Sequence, residues 1–257
     1  MNTNLSNPDH IETIEQALSA LGVTEKTLTG AERAALDEQG YVILRDVFAA
    51  AELNQLRAIF EEAVRENSRG RAAEASQSGT RHASDLLARG AAVQSLCFQP
   101  RILAAVHHII RRRFSTPRIT GRDPLPGYGQ QGLHADWIGP GLNGKYDVAT
   151  AIGLLDEFTK VNGATRVVPG THRIAVRMDK RVADPAYVHA QQLIVTAPAG
   201  AALVFNGHLW HSATRNQSSQ PRRTLQYTFV AHEFSRMNGV NPQPVEAINP
   251  AIRFLLS

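Results

Sequence analysis

The chain has 257 residues, with 27 Lys and Arg against 23 Asp and Glu, a net charge of +4 and a hydrophobic content of 43%. That composition supports a real core and excludes a globally disordered chain, and a surplus so small and scattered excludes binding driven by net charge alone. The single cysteine, Cys97, excludes an intramolecular disulfide framework.

The first ten residues, MNTNLSNPDH, lack the basic and apolar stretches of a signal peptide, and no apolar run reaches the length of a membrane span. The expectation is a soluble cytoplasmic protein, monomer or homodimer, with a small-molecule substrate and neither nucleic acid nor membrane as partner. Ile11, Ile14, Leu18 and Leu21 predict a short helix over 11–21. Thr29 with Glu32 three residues later is a capping-box pattern, and Gly40 fits just past the end of that helix. Tyr41–Leu44 (YVIL) reads as a buried strand, and the stripe Leu53, Leu56, Ile59, Phe60, Ala63 and Val64 predicts an amphipathic helix over 50–67. The small polar residues of 68–80 read as a surface loop. Pro100 opens a further helix carrying Ile102, Leu103, Val106, Ile109 and Ile110 inward. His107 and His108 on it read as packing or surface groups, and Arg111–Arg113 as cations at a helix C-terminus rather than a nucleic-acid patch.

From 116 onward the pattern changes. Short strand-like runs at 116–121, 130–137, 147–155, 164–168, 191–197, 201–206, 209–215 and 223–231 are separated by Gly, Pro and Asn. Eight short strands behind a helical front half predict a mainly β, jelly-roll structure in which the helices buttress one sheet. No linker marks a second domain, so 1–257 reads as one domain: helical over 1–113, β core over 114–233, and a C-terminal extension over 234–257.

Within GQQGLHADW, His134 and Asp136 lie two apart on a predicted strand and so share a face. An imidazole and a carboxylate so placed can clasp one metal ion. The third ligand must come from elsewhere. His172, His208 and His232 fall at turns or a strand end, whereas His211 lies within a predicted strand. Two His and one carboxylate on one face of a metal is the arrangement of non-haem Fe(II) oxygenases. His211 is followed by Asn216 and the pair Arg222-Arg223, and an arginine fork suits the distal carboxylate of a metal-bound 2-oxo acid. A solvated turn is the alternative for that pair.

Four stretches in this order, LTGAERAALDEQGYVILRDVF, PLPGYGQQGLHADW, LLDEFTKVNGATRVVPGTHR and LVFNGHLWHSATRNQSSQPRR, resemble the phytanoyl-CoA dioxygenase family of Fe(II)/2-oxoglutarate-dependent oxygenases. The resemblance covers most of the chain and implies a double-stranded β-helix, the cupin-like jelly roll. It implies His134, Asp136 and His211 as ligands of Fe(II), and Arg222, eleven residues after His211, as the anchor of the 2-oxoglutarate distal carboxylate, with Arg223 as fallback. Gln131 and Thr165 match positions facing the cosubstrate. A small hydroxyl often found two residues after the distal His is here Ala213, with Ser212 and Thr214 beside it. Asn162 and Gly163 read as turn formers. Asp136 is intact where related halogenases have a small residue, so hydroxylation, desaturation or ring chemistry is favoured over halogenation. The implied reaction consumes 2-oxoglutarate and O2, oxidises a C–H bond of a small metabolite, and releases succinate and CO2. The rival readings are a cupin-like metalloenzyme, hydrolase or lyase, that does not use 2-oxoglutarate, and a non-catalytic binding barrel. Trp137 and Trp210 are expected to point away from the ligands beside them. Arg81 and His82 read first as an exposed loop, with reach over the barrel mouth to an anionic group as the alternative.

Overall fold

The computed structural model describes residues 11–77, 79–116, 119–137, 145–174, 184–234 and 249–257. Capping chemistry starts the first two helices. Thr13 and Gln16 close a capping box on α1 (Ile14–Ala20), and Thr29 and Glu32 close the predicted one on α2 (Gly30–Glu38). The chain then enters β1 (Tyr41–Leu44).

The next helix, α3 (Ala50–Gln77), runs through most of the expected loop, and β2 (Thr80–Ala83) follows directly. The reading of 68–80 as a loop is therefore corrected. Its RAAEAS run is small and polar, but alanine, arginine and glutamate are also strong helix formers. Two further helices are α4 (Ala91–Cys97), which the sequence reading missed, and α5 (Pro100–Ile110), which Pro100 opens as expected. The arginines after α5 are structural. Arg111 reaches Asp37, Arg112 pairs with Asp147 at 2.6 Å and Glu233 at 2.7 Å, and Arg113 lies over the Phe254 ring.

The remaining strands are β3 (Phe114–Ser115), β4 (Ile119–Pro124), β5 (Val148–Leu154), β6 (Thr165–Val168), β7 (Leu193–Ile194), β8 (Ala202–Asn206), β9 (Trp210–Ala213) and β10 (Thr224–Ala231). One sheet has the order β1-β8-β5-β10-β4-β2, with β3 also pairing β10; the other is β7-β6-β9. The strand expected over 130–137 does not form. Gly127 and Gly129, with φ of +86° and +90°, bend the chain just before it, and an isolated bridge from His134 to His211, with the Gln131 N–H bonded to the Ala213 carbonyl, attaches it to β9. Part of the expected C-terminal extension lies outside the described residues; its last stretch is a helix, α6 (Pro250–Leu256), packed against α1 and β3.

Strand alternation divides the larger sheet. Its outer residues, among them Leu44, Ala151, Leu225, Tyr227 and Phe229, join Leu56, Phe60, Leu103 and Val106 of the helices in one buried cluster. Inner residues Ile152, Leu154, Leu203 and Phe205 meet Val167, Val195 and Phe158 in a second cluster between the sheets. This is the jelly roll with helices on one sheet that the sequence predicts. Cys97 is buried in the helical layer, where desolvation pushes its thiol up to about 12. Among the described residues no helix is long and apolar enough to cross a membrane.

Phe60 of α3 is fully buried against Gly121 of β4, where a Cβ would lie 2.5 Å from its ring. Helix and sheet approach that closely because the strand has no side chain there. Phe60→Ala should therefore lower unfolding free energy by about 3–5 kcal/mol, read by denaturant melts.

Candidate metal centre

The site starts from a backbone clasp. His134 and His211 exchange both main-chain hydrogen bonds, N–H to O at 3.0 Å and 2.9 Å. That exchange brings their rings to 4.5 Å between centroids. In each imidazole Nδ1 donates to the carbonyl two residues earlier, Gly132 for His134 and Leu209 for His211, both at 2.9 Å. Those bonds select the tautomer whose Nε2 carries the lone pair. Asp136 completes the group: its Oδ1 lies 3.9 Å from Nε2 of His134 and 3.5 Å from Nε2 of His211. One donor atom from each of the three residues falls within 4.8 Å of the others.

The supporting contacts come from β5 and β8. Thr150 donates its hydroxyl to Oδ2 of Asp136 at 2.6 Å, which holds the carboxylate with Oδ1 toward the imidazoles. Phe205, paired with Thr150 across the sheet, packs on the His211 ring at 4.4 Å. Burial pushes the His211 imidazole down from its ordinary value and so favours the neutral, ligating form. The cluster is graded in exposure: the His211 side chain is 8% exposed, Asp136 25% and His134 41%. One side of the site thus opens outward. Sequence reasoning missed Thr150 and Phe205; the signal for Thr150 was a hydroxyl inside the otherwise apolar strand VATAIGL.

Arg222 and Arg223 separate clearly. Arg223 bonds both oxygens of Asp156, at 2.8 and 2.9 Å, and reaches Glu61. Arg222 is 1% exposed, lies with its guanidinium 5.1 Å from the Phe158 ring centre, and leaves Nε and Nη2 buried without partners. Desolvation, with repulsion from Arg122, pushes its guanidinium down to about 9, although Asp123 opposes the shift. Asp123 is already engaged, by Arg81 and by the Arg222 backbone N–H. A guanidinium held there has free donors with which a carboxylate can pair.

The other singled-out residues fall as follows. The Gln131 amide oxygen accepts from the Ala213 N–H at 3.3 Å, and Thr165 stands directly opposite Ala213. Thr165, Val167, His211 and Ala213 share the inner face of the small sheet. Ser212 and Thr214 face the other way: Ser212 accepts from Arg166 at 2.6 Å, and Thr214 donates to the Ala164 carbonyl. Neither replaces the missing hydroxyl at Ala213. Asn162 and Gly163 form the expected turn, with Gly163 at φ +84° and a Cβ there meeting the Asn216 backbone at 3.2 Å. Trp210 packs edge-on to His189, and Trp137 against Phe234. Arg81 lies on the helix side of β2, tied to Glu61 and Asp123, which overturns its reading as a group at the barrel mouth. His172, His208 and His232 lie outside the metal cluster.

With this geometry in place, comparison with known proteins is informative. The phytanoyl-CoA dioxygenase (PhyH) family profile matches residues 36–224. The uncharacterized protein Rv1501 of Mycobacterium tuberculosis is 32% identical over 48% of this chain, an alignment spanning 40% of that protein's length. Dioxygenase trt7 of Aspergillus terreus is 27% identical over 213 residues, covering 78% of this chain and 72% of trt7. Among solved structures, HygX of Streptomyces hygroscopicus with nickel and 2-oxoglutarate superposes with a TM-score of 0.63 at 18% identity, covering 80% of this chain and 88% of HygX. The non-haem, α-ketoglutarate-dependent carbocyclase SnoK from nogalamycin biosynthesis superposes with a TM-score of 0.66 at 21% identity, covering 86% and 96%. At these identities the likenesses establish the fold.

Thr150→Val removes one hydrogen bond to Asp136 and nothing else of similar size. It should weaken divalent metal binding about tenfold or more, measured with Mn(II), while the unfolding midpoint shifts little.

Proposed function

Because the chain belongs to the phytanoyl-CoA dioxygenase family, we propose that it is a non-haem Fe(II)- and 2-oxoglutarate-dependent dioxygenase that hydroxylates a C–H bond of a small-molecule metabolite. The observation that carries this reading is Arg222. Its buried, unpartnered guanidinium lies over Phe158 in the apolar cluster between the two sheets, the interior that His211 of β9 also faces with His134 and Asp136 beside it. The hydrolase or lyase reading assigns that cation no cosubstrate.

In this reading His134 and His211 hold iron through Nε2 and Asp136 through Oδ1, with Thr150 fixing the carboxylate. Iron, 2-oxoglutarate and O2 together supply the oxidant that removes hydrogen from the substrate, with succinate and CO2 released. The residues of the chain do the rest. Arg222 pairs with the distal carboxylate of the cosubstrate through a charge-assisted bond in a dry setting, where such bonds are strong. Thr165 supplies a hydroxyl across the ladder from Ala213, where the family's usual one is absent. Gln131, held by the Ala213 N–H, borders the same space. Phe158 and Phe205 keep water away from Arg222 and His211. No side chain need act as nucleophile. The intact Asp136 favours hydroxylation over halogenation. HygX and SnoK, whose fold this chain shares, are described with 2-oxoglutarate bound or as α-ketoglutarate-dependent, which supports the same cosubstrate here.

The test is an anaerobic titration of the Fe(II)-loaded protein with 2-oxoglutarate, following the visible charge-transfer band. A band is expected, and its absence with metal bound would reject the keto acid. Arg222→Gln should weaken 2-oxoglutarate binding by about thirtyfold or more. Arg223→Gln should instead lower stability, by about 2 kcal/mol, with little change in cosubstrate affinity. Asp136→Ala should stop succinate formation while the melting transition stays cooperative; succinate at the wild-type rate would refute the metal assignment.

A further inference from the structure

The inner face of the larger sheet is not uniform. Thr150 points inward, because it bonds Asp136. Its neighbour across β10 is Thr228, and alternation places Gln226 and Thr224 on the same face. Thr224 pairs with Arg122, Gln226 with Thr120, and Arg122 in turn with His82. Toward β1 and β8 this face is the apolar cluster of Ile152, Leu203 and Phe205. Toward β4 and β2 it is a wall of Thr120, Arg122, Gln226, Thr228 and His82. Thr228 and His82 are exposed, and Gln226, Thr120 and Arg122 half-buried. This polar part of the inner face stays open to solvent, and it begins beside the metal cluster, where Thr228 stands opposite Thr150.

Arg122 stands out among the cations. Arg57, Arg81, Arg112 and Arg223 each lie against a carboxylate, and Arg166 is satisfied by Ser212, Gln192 and two carbonyls. Arg122 has no such partner among the described residues, and its Nε is buried with no hydrogen bond. Desolvation alone pushes its guanidinium down, and the groups that feel its charge are the Arg222 guanidinium and the His82 imidazole, neither of them an acid. Two uncompensated guanidiniums therefore share one face. A single 2-oxoglutarate brings one distal carboxylate, and Arg222, lying toward Phe158, is placed for it. Arg122, on the opposite side of β10, is left without an anion.

We propose that Arg122, with Thr120, Gln226 and His82 around it, binds an anionic group of the primary substrate, making the substrate a small organic acid or phosphate ester. The inference rests on the dioxygenase reading of the site. Arg122 lies level with Thr224, four residues along β10 from the row beside the metal cluster. The charged end of the substrate is therefore on the order of 10 Å from the carbon that reacts. A neutral hydrocarbon substrate would leave the guanidinium desolvated and unpaired, which is costly.

The experiment uses the full chain loaded with Mn(II) and saturated with 2-oxoglutarate under argon. Inorganic phosphate, and separately acetate, is titrated at constant ionic strength, and binding is read by calorimetry and by the rise in melting temperature. The wild type should bind one anion in the millimolar range, Arg122→Gln should bind it about tenfold more weakly, and Arg122→Lys should recover part of the loss. The 2-oxoglutarate charge-transfer titration of Arg122→Gln should stay within about twofold of wild type. If phosphate and acetate fail to bind the wild type, or bind Arg122→Gln equally well, the proposal is overturned. It is also overturned if Arg122→Gln loses 2-oxoglutarate as severely as Arg222→Gln, since Arg122 would then belong to the cosubstrate. A wild type without any charge-transfer band would instead be a failure of the dioxygenase reading, so the two failures are distinguishable.

Discussion

Two backbone hydrogen bonds between His134 and His211 hold the centre of this molecule together. The segment carrying His134 and Asp136 is irregular and bent by glycines on its approach, so no ladder positions it. The bridge to β9 and the Gln131 N–H bonded to the Ala213 carbonyl do so, and the Trp137 N–H to the Gly207 carbonyl pins its far end. Side-chain packing then works on a backbone already in place: Phe205 against the His211 ring, Thr150 against Asp136. Such an arrangement gives ligand positions set by main-chain geometry and ligand orientations set by single polar contacts, which are separable in energy.

Charge is distributed by the same logic. On the helix side of the large sheet, carboxylates and guanidiniums are interlaced: Glu61, Asp123 and Asp156 serve Arg57, Arg81 and Arg223. These pairs join α3 to the ends of β2, β4 and β10, and they leave no charge over. On the inner side the carboxylate of Asp136 faces histidines, and Arg122 and Arg222 form no ion pair among the described residues. The fold thus sorts its ion pairs outward and its uncompensated cations inward, where bound anions would complete them. Asn216 assists by tying the turn before β10 to the Pro124 and Gln220 carbonyls, which fixes where Arg222 enters the interior.

Much of this was legible in the residues. Thr29 and Glu32 announced a helix start, Pro100 another, and the spacing of YVIL and VATAIGL announced strands, because each rests on local chemistry. The three ligands were legible because few residue types bind metal and their order along the chain is distinctive. What escaped had non-local causes. The RAAEAS run reads equally as polar loop or solvated helix, and only its continuity with the packed part of α3 decides. The strand expected around His134 failed because the glycines before it turn the backbone away from any second partner. Arg81 was misplaced because the face of a four-residue strand depends on register with β4, which sequence does not print. The same register hid the inward position of Arg122, and sequence spacing alone left Arg222 and Arg223 equivalent although one lies inside and the other is ion-paired at the surface.

The alternation of β10 has an implication for how such a protein changes over time. Leu225, Tyr227 and Phe229 anchor the helical layer, while Gln226 and Thr228, interleaved with them, face the open inner side. A slip of one residue would exchange the two sets and ruin both core and inner face, so the register is strictly policed. Given that register, replacement at the inward-facing positions leaves the core undisturbed. One strand therefore carries a fixed mechanical duty and an editable chemical one in alternate letters, and new substrate preferences can be tried without putting the scaffold at risk.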